Sequence, residues 1–392
     1  MSYSKYLGGV LLIVGTSIGG GMLALPMANA EAGLLPSSLA LLLCWLIMTC
    51  GAFLILEVNL YVPPGKNMVS MAYETLKAPG LIITWVTYLL LLYTLLSAYI
   101  SGGSDVLQGV LTRFHIKLLD WQSTTLFTLA FGLIVYGGIQ KVDWANRLLM
   151  FGKLGIYFIL IFFIAPSVEF EHWTRSMPEA VPNTLMILIA SFGFAIIVPN
   201  LREYFNEDIK SLKSVILVGS LIPLLCYFAW DAVIIGTIPS EGNQGLITLT
   251  QSTHPTTDLA NQLALIIHNP MIDRLFRTFT SICMLTAFLG VALCMMSFLG
   301  DGLKLEQRGY QGLALALITF VPPFVLVLFL PGAYLSALRY AGMLCVILLV
   351  MLPALMTLFG RRTFDGPFKV PGGALPPLLL LAASIGLLFL SF

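Results

Sequence analysis

Charge is scarce in this chain. Asp, Glu, Lys and Arg make up 10% of its 392 residues, against about 25% in a soluble domain, which excludes a soluble globular protein. Acidic and basic residues nearly cancel to a net charge of +1, so there is no basic footprint for nucleic acid. Cys44, Cys50, Cys226, Cys283, Cys294 and Cys345 all fall in apolar runs with no CxxC spacing. That excludes a disulfide framework or a cysteine metal site and reads all six as small buried hydrophobes. The histidines His115, His172, His254 and His268 sit in or beside polar loops, none in HExxH, and no GxxxxGK[ST] occurs. A zinc hydrolase and an ATP-driven pump are therefore disfavoured. So are a membrane-embedded enzyme, which needs paired acidic motifs or a nucleophile with a base, a sensor, which needs a soluble signalling domain, and a channel, which needs a continuous selectivity filter.

What the chain has in abundance is apolar residues, 58% of the total, with a mean hydropathy of +0.93. About 20 apolar residues cross a bilayer. Eleven such segments are expected, near 6–29, 36–61, 81–111, 122–139, 148–166, 180–200, 212–238, 273–300, 311–330, 334–359 and 374–391. The third is long enough to tilt or to emerge by a turn. With a cytoplasmic N-terminus, thirteen Lys/Arg fall on the cytoplasmic side: Lys5, Lys66, Lys77, Lys141, Arg147, Arg202, Lys210, Lys213, Lys304, Arg308, Arg361, Arg362 and Lys369. Five fall outside: Arg113, Lys117, Arg175, Arg274 and Arg277. This positive-inside bias alternates correctly only with eleven spans and places the C-terminus outside. Lys5 before an apolar run and Ala28-Asn29-Ala30 resemble a cleavable signal. The glycine-rich interruption and Pro26 argue against one, and the span count needs this segment. The long outer loop near 239–271 contains a helical pattern over Thr257–His268, either a lid or a short packed surface helix.

Inside the first span lies Gly15-Thr16-Ser17-Ile18-Gly19-Gly20-Gly21-Met22, followed by Pro26. Interior glycine costs a helix about 1 kcal/mol relative to alanine. Two readings fit: close helix packing through small residues, or a helix break whose free amides and carbonyls face a ligand. The sixth span repeats the pattern with Ser191-Phe192-Gly193-Phe194-Ala195 and Pro199. Each interruption opens a set of five spans, and five is odd, so the two sets run in opposite orientation. The expected architecture is an all-α membrane protein of eleven helices, a five-plus-five inverted repeat with helices 1 and 6 discontinuous. One integrated domain holds the first repeat at about 6–166, the second at about 180–359 and an extra helix at about 374–391. In such folds a substrate sits at the midplane between the broken helices. Half-helix N-termini attract a carboxylate and free carbonyls an ammonium, which suits a zwitterionic amino acid.

Ionisable residues within the membrane need a reason to be there. Glu57 is read as a structural ion-pair partner or a gate residue. Lys153 either snorkels to the interface or points inward to where a coupling cation would sit. Asp231 is a candidate proton acceptor or gate partner, and Asp105 and Arg339 lie nearer the outer interface. Tyr88, Tyr93, Ser97 and Tyr99 on the third span, and Ser281, Thr286 and Ser297 on the eighth, are candidate lining residues, of which Tyr93, Ser97 and Thr286 join the expected substrate contacts. Phe192 and Phe194 flank Gly193, where an aromatic substrate would gain about 0.5–1.5 kcal/mol per ring pair.

GTSIGGGMLALP with AGLLPS, then LEVNLY, SAYISGG, SFGF with its proline, GSLIPL with its tryptophan, and TAFLGVAL together resemble the bacterial hydroxy and aromatic amino acid permeases, most of all the tyrosine-specific members. The resemblance spans essentially the whole chain. It implies a leucine-transporter-type fold, a multi-pass location in the bacterial inner membrane, and proton-coupled uptake of tyrosine, with tryptophan, phenylalanine, serine or threonine as alternative substrates. Carried onto this chain, Gly15–Met22 and Ser191–Phe194 would contact the substrate. It implies no cofactor or metal, the proton being the coupling ion, and a functional monomer in the lipid bilayer. One departure stands out. A histidine follows the SFG-aromatic stretch in enterobacterial members, and Ala195 stands there in this chain. A proton role held by that histidine would pass to Lys153 or an acidic residue.

Overall fold

The structure is a computed structural model describing residues 3–137, 139–242, 245–306 and 309–391, with backbone alone for residues 3 and 139–148. Arg308, and the side chains of Lys141 and Arg147, which entered the charge tally, lie outside the described residues. Helices account for the architecture, with no strand among the described residues. In chain order they are α1 (Tyr3–Ser17), α2 (Gly20–Asn29), α3 (Leu34–Asn59), α4 (Met68–Arg113), α5 (Asp120–Tyr136), α6 (Ile139–Ile164), α7 (Val181–Ser191), α8 (Val198–Tyr204), α9 (Ile209–Thr237), α10 (Leu246–Leu249), α11 (Pro255–Ile267), α12 (Pro270–Leu303), α13 (Gly309–Phe329), α14 (Tyr334–Cys345), α15 (Leu352–Gly360) and α16 (Leu375–Leu390).

Eight helical stretches are long and apolar enough to cross a membrane. The pair α1 and α2, bent by 52° at their junction, makes a ninth when taken as one broken span. The helices α5 and α16, of 17 and 16 residues, are shorter. Apolar side chains stand outward along these helices, Leu39, Leu43, Phe158, Phe162 and Leu379 among them, as a bilayer requires and water would not. Cys50 and Cys294 are exposed too, correcting the expectation that all six cysteines are buried. A cysteine is apolar enough to face lipid.

Several irregularities have local causes. The long third segment begins early, at Met68, and is kinked at Lys77 (φ 60, ψ −150), two residues before Pro79. A π-helical turn, Val346–Met351, joins α14 to α15 just ahead of Pro353, whose ring and missing N–H disrupt the turn before it. There the Leu349 carbonyl lies 2.4 Å from where a Cβ on Gly51 would stand, so only glycine admits this approach of α3.

The interior divides into two clusters. The larger takes side chains from most helices and contains the α1–α2 junction. The smaller is built from α4, α5, α12 and α13 around Phe127, Phe288, Met295 and Phe320. Tyr88 and Tyr99 of α4 pack against both.

At the C-terminal end of α3, two arginines gather the chain. Arg202 of α8 donates to the Asn59 carbonyl and, at 2.8 Å, to that of Val62, a natural use of a cation at the negative end of a helix. Arg361 grips Glu57 from the end of α15. Its Nε and Nη2 donate to the two carboxylate oxygens at 2.6 and 2.7 Å, while Val370 N–H and the Tyr61 hydroxyl each donate at 2.7 Å. Glu57 is thus a saturated ion-pair partner.

Candidate substrate site

The break in the first span is narrower than the glycine content suggests. Gly15, Thr16 and Ser17 complete the last turn of α1, and Gly20, Gly21 and Met22 form the first of α2; only Ile18 and Gly19 leave the helical path. Gly19 adopts φ −143, ψ −147 and caps α2 without any side-chain cap. The first amides of a helix have no partner within it. The glycines are needed for approach. A Cβ on Gly20 would stand 2.7 Å from the Tyr99 ring, and one on Gly21 would stand 2.9 Å from Ser191 Oγ.

That second contact brings the two interruptions together. Along the span Pro178–Tyr204, α7 ends at Ser191, Phe192 closes it, and a 3₁₀ segment, Gly193–Ile197, carries the chain into α8, where Pro199 sits in the first turn. The interruption is a tightened helix rather than an unwound one. A 3₁₀ stretch within a span is poorly bonded and commonly marks a hinge.

Tyr227 of α9 links the two. Its hydroxyl lies 2.7 Å from the Ser17 carbonyl oxygen and 2.9 Å from that of Ser191. These are the last carbonyls of α1 and α7, the partially negative ends of both half-helices. Tyr334 of α14 donates to the Gly20 carbonyl, and Lys153 of α6 donates to the Ile18 carbonyl. Lys153 Nζ also lies 3.5 Å from Thr286 Oγ1 on α12. It is 1% exposed, so it points inward and does not snorkel. The Phe192 ring meets Tyr227 edge-on at 5.2 Å, and Phe194 is fully buried. Ser17 Oγ is buried without a partner among the described residues.

Of the residues expected at the site, Ser17, Ile18, Gly19, Gly20, Gly21, Ser191, Phe192, Lys153 and Thr286 meet at this junction. Met22 and Phe194 are buried in the same cluster, and Gly193 faces Cys345, whose Sγ would be 3.9 Å from a Cβ there. Gly15 packs toward Met150. Thr16 is exposed, its hydroxyl donating to Leu12 of its own helix at 2.7 Å. Tyr93, packed on the smaller cluster, donates to the Ile318 carbonyl at 2.7 Å, and Ser97 donates to the Tyr93 backbone carbonyl at 2.9 Å. Glu57 is held by Arg361. Asp231 is bonded to Asn29 at the far end of α2. Tyr227 and Tyr334 were not anticipated.

Asp105, expected near the outer interface, anchors the loop helix. Its Oδ2 accepts from the Thr256 and Thr257 amides at 3.1 and 3.2 Å, so α11, close to the expected Thr257–His268, is capped from α4. His254 stands between two carboxylates, Nδ1 3.4 Å from Asp105 and Nε2 3.6 Å from Asp120. These residues line a cavity of about 360 Å³ with Gln108 and Trp121. The hydrogen bond to Asp105 outweighs partial burial, and with the charges of Asp105, Asp120 and Asp258 it raises the imidazole above its ordinary 6.5. A raised folded value stabilises the contact fully below the free value, and that contribution is lost as pH rises through the folded one. The protection factors of the amides at the start of α11, with the intrinsic pH dependence of exchange divided out, should therefore be higher on the acid side of this titration than on the alkaline side. His254→Gln should flatten the difference; an unchanged difference would remove His254 as its cause.

A multi-span helical bundle whose first span breaks against a second interrupted span is the build of a membrane transport protein. The chain belongs to the tryptophan/tyrosine permease family, whose pattern matches residues 2–391. It is similar to the tyrosine-specific transport system 1 of Haemophilus influenzae, 31% identical over 97% of this chain and 95% of that protein. The tryptophan-specific transport protein of Pseudomonas aeruginosa is 29% identical over 96% of this chain and 91% of its own length. Glutamine transporter 2 of Aliivibrio fischeri is 28% identical over 91% and 90%.

Proposed function

We propose that this protein is a secondary active transporter that carries an aromatic amino acid, tyrosine foremost, into the cytoplasm by proton symport and alternating access. The observation that carries the reading is the meeting of two half-helix carbonyl ends at Tyr227 beside the uncapped start of α2. Those groups suit the ammonium and carboxylate that every amino acid shares. The aromatic preference is supported by the tyrosine and tryptophan relatives and by Phe192 at the junction. The glutamine relative means that backbone recognition alone does not set the side chain. Proton coupling is favoured over sodium because the Lys153 ammonium already stands at the Ile18 carbonyl, where a metal cation would compete with it.

The architecture we propose is eleven spans: the nine above plus α5 and α16. They form a five-plus-five inverted repeat in a single domain, working as a monomer in the bacterial inner membrane, with the N-terminus cytoplasmic and the C-terminus periplasmic. Proteoliposomes should accumulate radiolabelled tyrosine under an inward proton gradient and lose it on adding a protonophore. Uptake that follows a sodium gradient and ignores pH would sink the coupling. Preferential binding of serine or an aliphatic amino acid over every aromatic would sink the substrate assignment.

A further inference from the structure

Asp231 lies on α9 one turn beyond Tyr227 and is 3% exposed. Its Oδ2 accepts from Asn29 Nδ2 at 2.7 Å. Asn29 is the last residue of α2 and is fully buried. Asp231 Oδ1 and Asn29 Oδ1 are both buried and both lack a donor among the described residues.

Among the described residues, the groups packed around this pair are neutral. On α2 the facing polar group is Asn29 itself. From α3, Ser37 donates to the Asn29 carbonyl, and the sole charged residue of that helix is Glu57 at its far end. From α6, Tyr157 spends its hydroxyl on the Cys226 carbonyl at 2.9 Å. On α9 itself, Tyr227 is committed to the junction. From the 3₁₀ segment Phe170–Thr174, Trp173 donates to the Ala232 carbonyl and His172 sits on the Gly236 carbonyl, each at 2.9 Å. From α12, Phe276 and Phe279 pack as rings on Trp230. No basic nitrogen forms an ion pair with Asp231 among the described residues.

An ionised carboxylate in such a place, with one neutral amide for company, is strongly disfavoured. A proton on Oδ1 removes the charge and supplies the missing donor. An acid and a primary amide can pair through two hydrogen bonds, amide N–H to acid carbonyl and acid O–H to amide carbonyl. One added proton thereby serves both orphaned oxygens.

We propose that Asp231 is protonated in this arrangement, paired as an acid with Asn29, and that it releases the proton when α2 parts from α9. The pair ties the outer half of the broken span to α9, which also bears Tyr227. Separation of the two helices would expose Asp231 to water, where a carboxyl ionises at neutral pH. This deepens the transport reading above and rests on it for the coupling role alone.

The test begins without transport. Infrared difference spectroscopy of purified protein at neutral pH should show the carbonyl stretch of an un-ionised carboxylic acid, shifted in heavy water. The band should be absent from Asp231→Asn and moved in Asn29→Ala, which leaves the acid without its amide. A wild type lacking the band, or a band that persists in Asp231→Asn, would overturn the assignment. In proteoliposomes, Asp231→Asn, a neutral mimic of the acid, should retain tyrosine counterflow while losing all stimulation by a proton gradient. Stimulation equal to wild type would overturn the coupling role. Wild-type uptake that ignores the gradient would instead count against proton symport itself, while the infrared band alone decides the state of Asp231. Should Asp231→Asn fail to fold, the band shift in Asn29→Ala decides it.

Discussion

Arg361→Ala should lower the stability of the detergent-purified protein by about 3–5 kcal/mol, the usual cost of removing one partner from a buried ion pair. Glu57 is 0% exposed, and loss of the guanidinium would leave its charge with the Val370 amide and the Tyr61 hydroxyl alone. The change should appear as an early thermal transition. A double-mutant cycle with Glu57→Gln separates pairing from packing: the double variant should be less damaged than the sum of the singles, because removing the acid also removes the stranded charge. A loss below about 1 kcal/mol, typical of exposed pairs, would mean that water reaches this clasp. The Arg361 side chain also reaches the Val370 and Gly373 carbonyls. The variant should therefore loosen the segment leading into α16.

Lys153→Met should abolish or severely reduce uptake while leaving the fold at least as stable as the wild type. These opposite signs are what distinguish a working lysine from a structural one. A buried ammonium that forms no ion pair, as for Lys153 among the described residues, is costly to fold, and methionine fills similar space without the charge. Yet the ammonium holds the Ile18 carbonyl at the break and reaches the Thr286 hydroxyl. A hydrogen bond to a charged group contributes about 1.5–3 kcal/mol, or about 10- to 150-fold in an equilibrium at that junction. Melting temperature and tyrosine uptake measured on one preparation decide the matter. Unchanged uptake would remove Lys153 from the mechanism.

Glycine made the first break legible. Several interior glycines in a row each cost a helix about 1 kcal/mol, and the stretch falls where the span bends. Its width was not legible, because Gly20 and Gly21 are helical and serve to admit Tyr99 and Ser191. The facing residues were harder to read. Thr16 and Ser17 are neighbours in sequence, but successive helical residues point about 100° apart, so one turns out and the other in. Tyr93 and Tyr99 share α4, and only the latter meets Gly20. Tyr227 and Tyr334 look like any aromatic in an apolar run until the rotation of their helices is known. Glu57 invited a search for a partner, but Arg361 lies 304 positions away, and no local pattern joins them. Asp105 appeared peripheral because a carboxylate capping another segment's helix leaves no trace in its own neighbourhood.

A molecule with two separately packed interiors has a seam. Here the seam runs along α4, which turns Leu91 and Ala98 to one cluster and Leu92 and Leu96 to the other, and crosses α12 between Met284 and Phe288, with the rings of Tyr88 and Tyr99 set across it. Bending through either cluster would open voids at the cost of its packing. The small residues of SAYISGG sit on this line: a Cβ on Gly102 would meet Met284 and Tyr334, and one on Gly103 would meet Phe127. Mechanically, the protein resembles two stiff blocks joined by two shared beams, α4 and α12, so that any movement of one block against the other has to be carried by those helices.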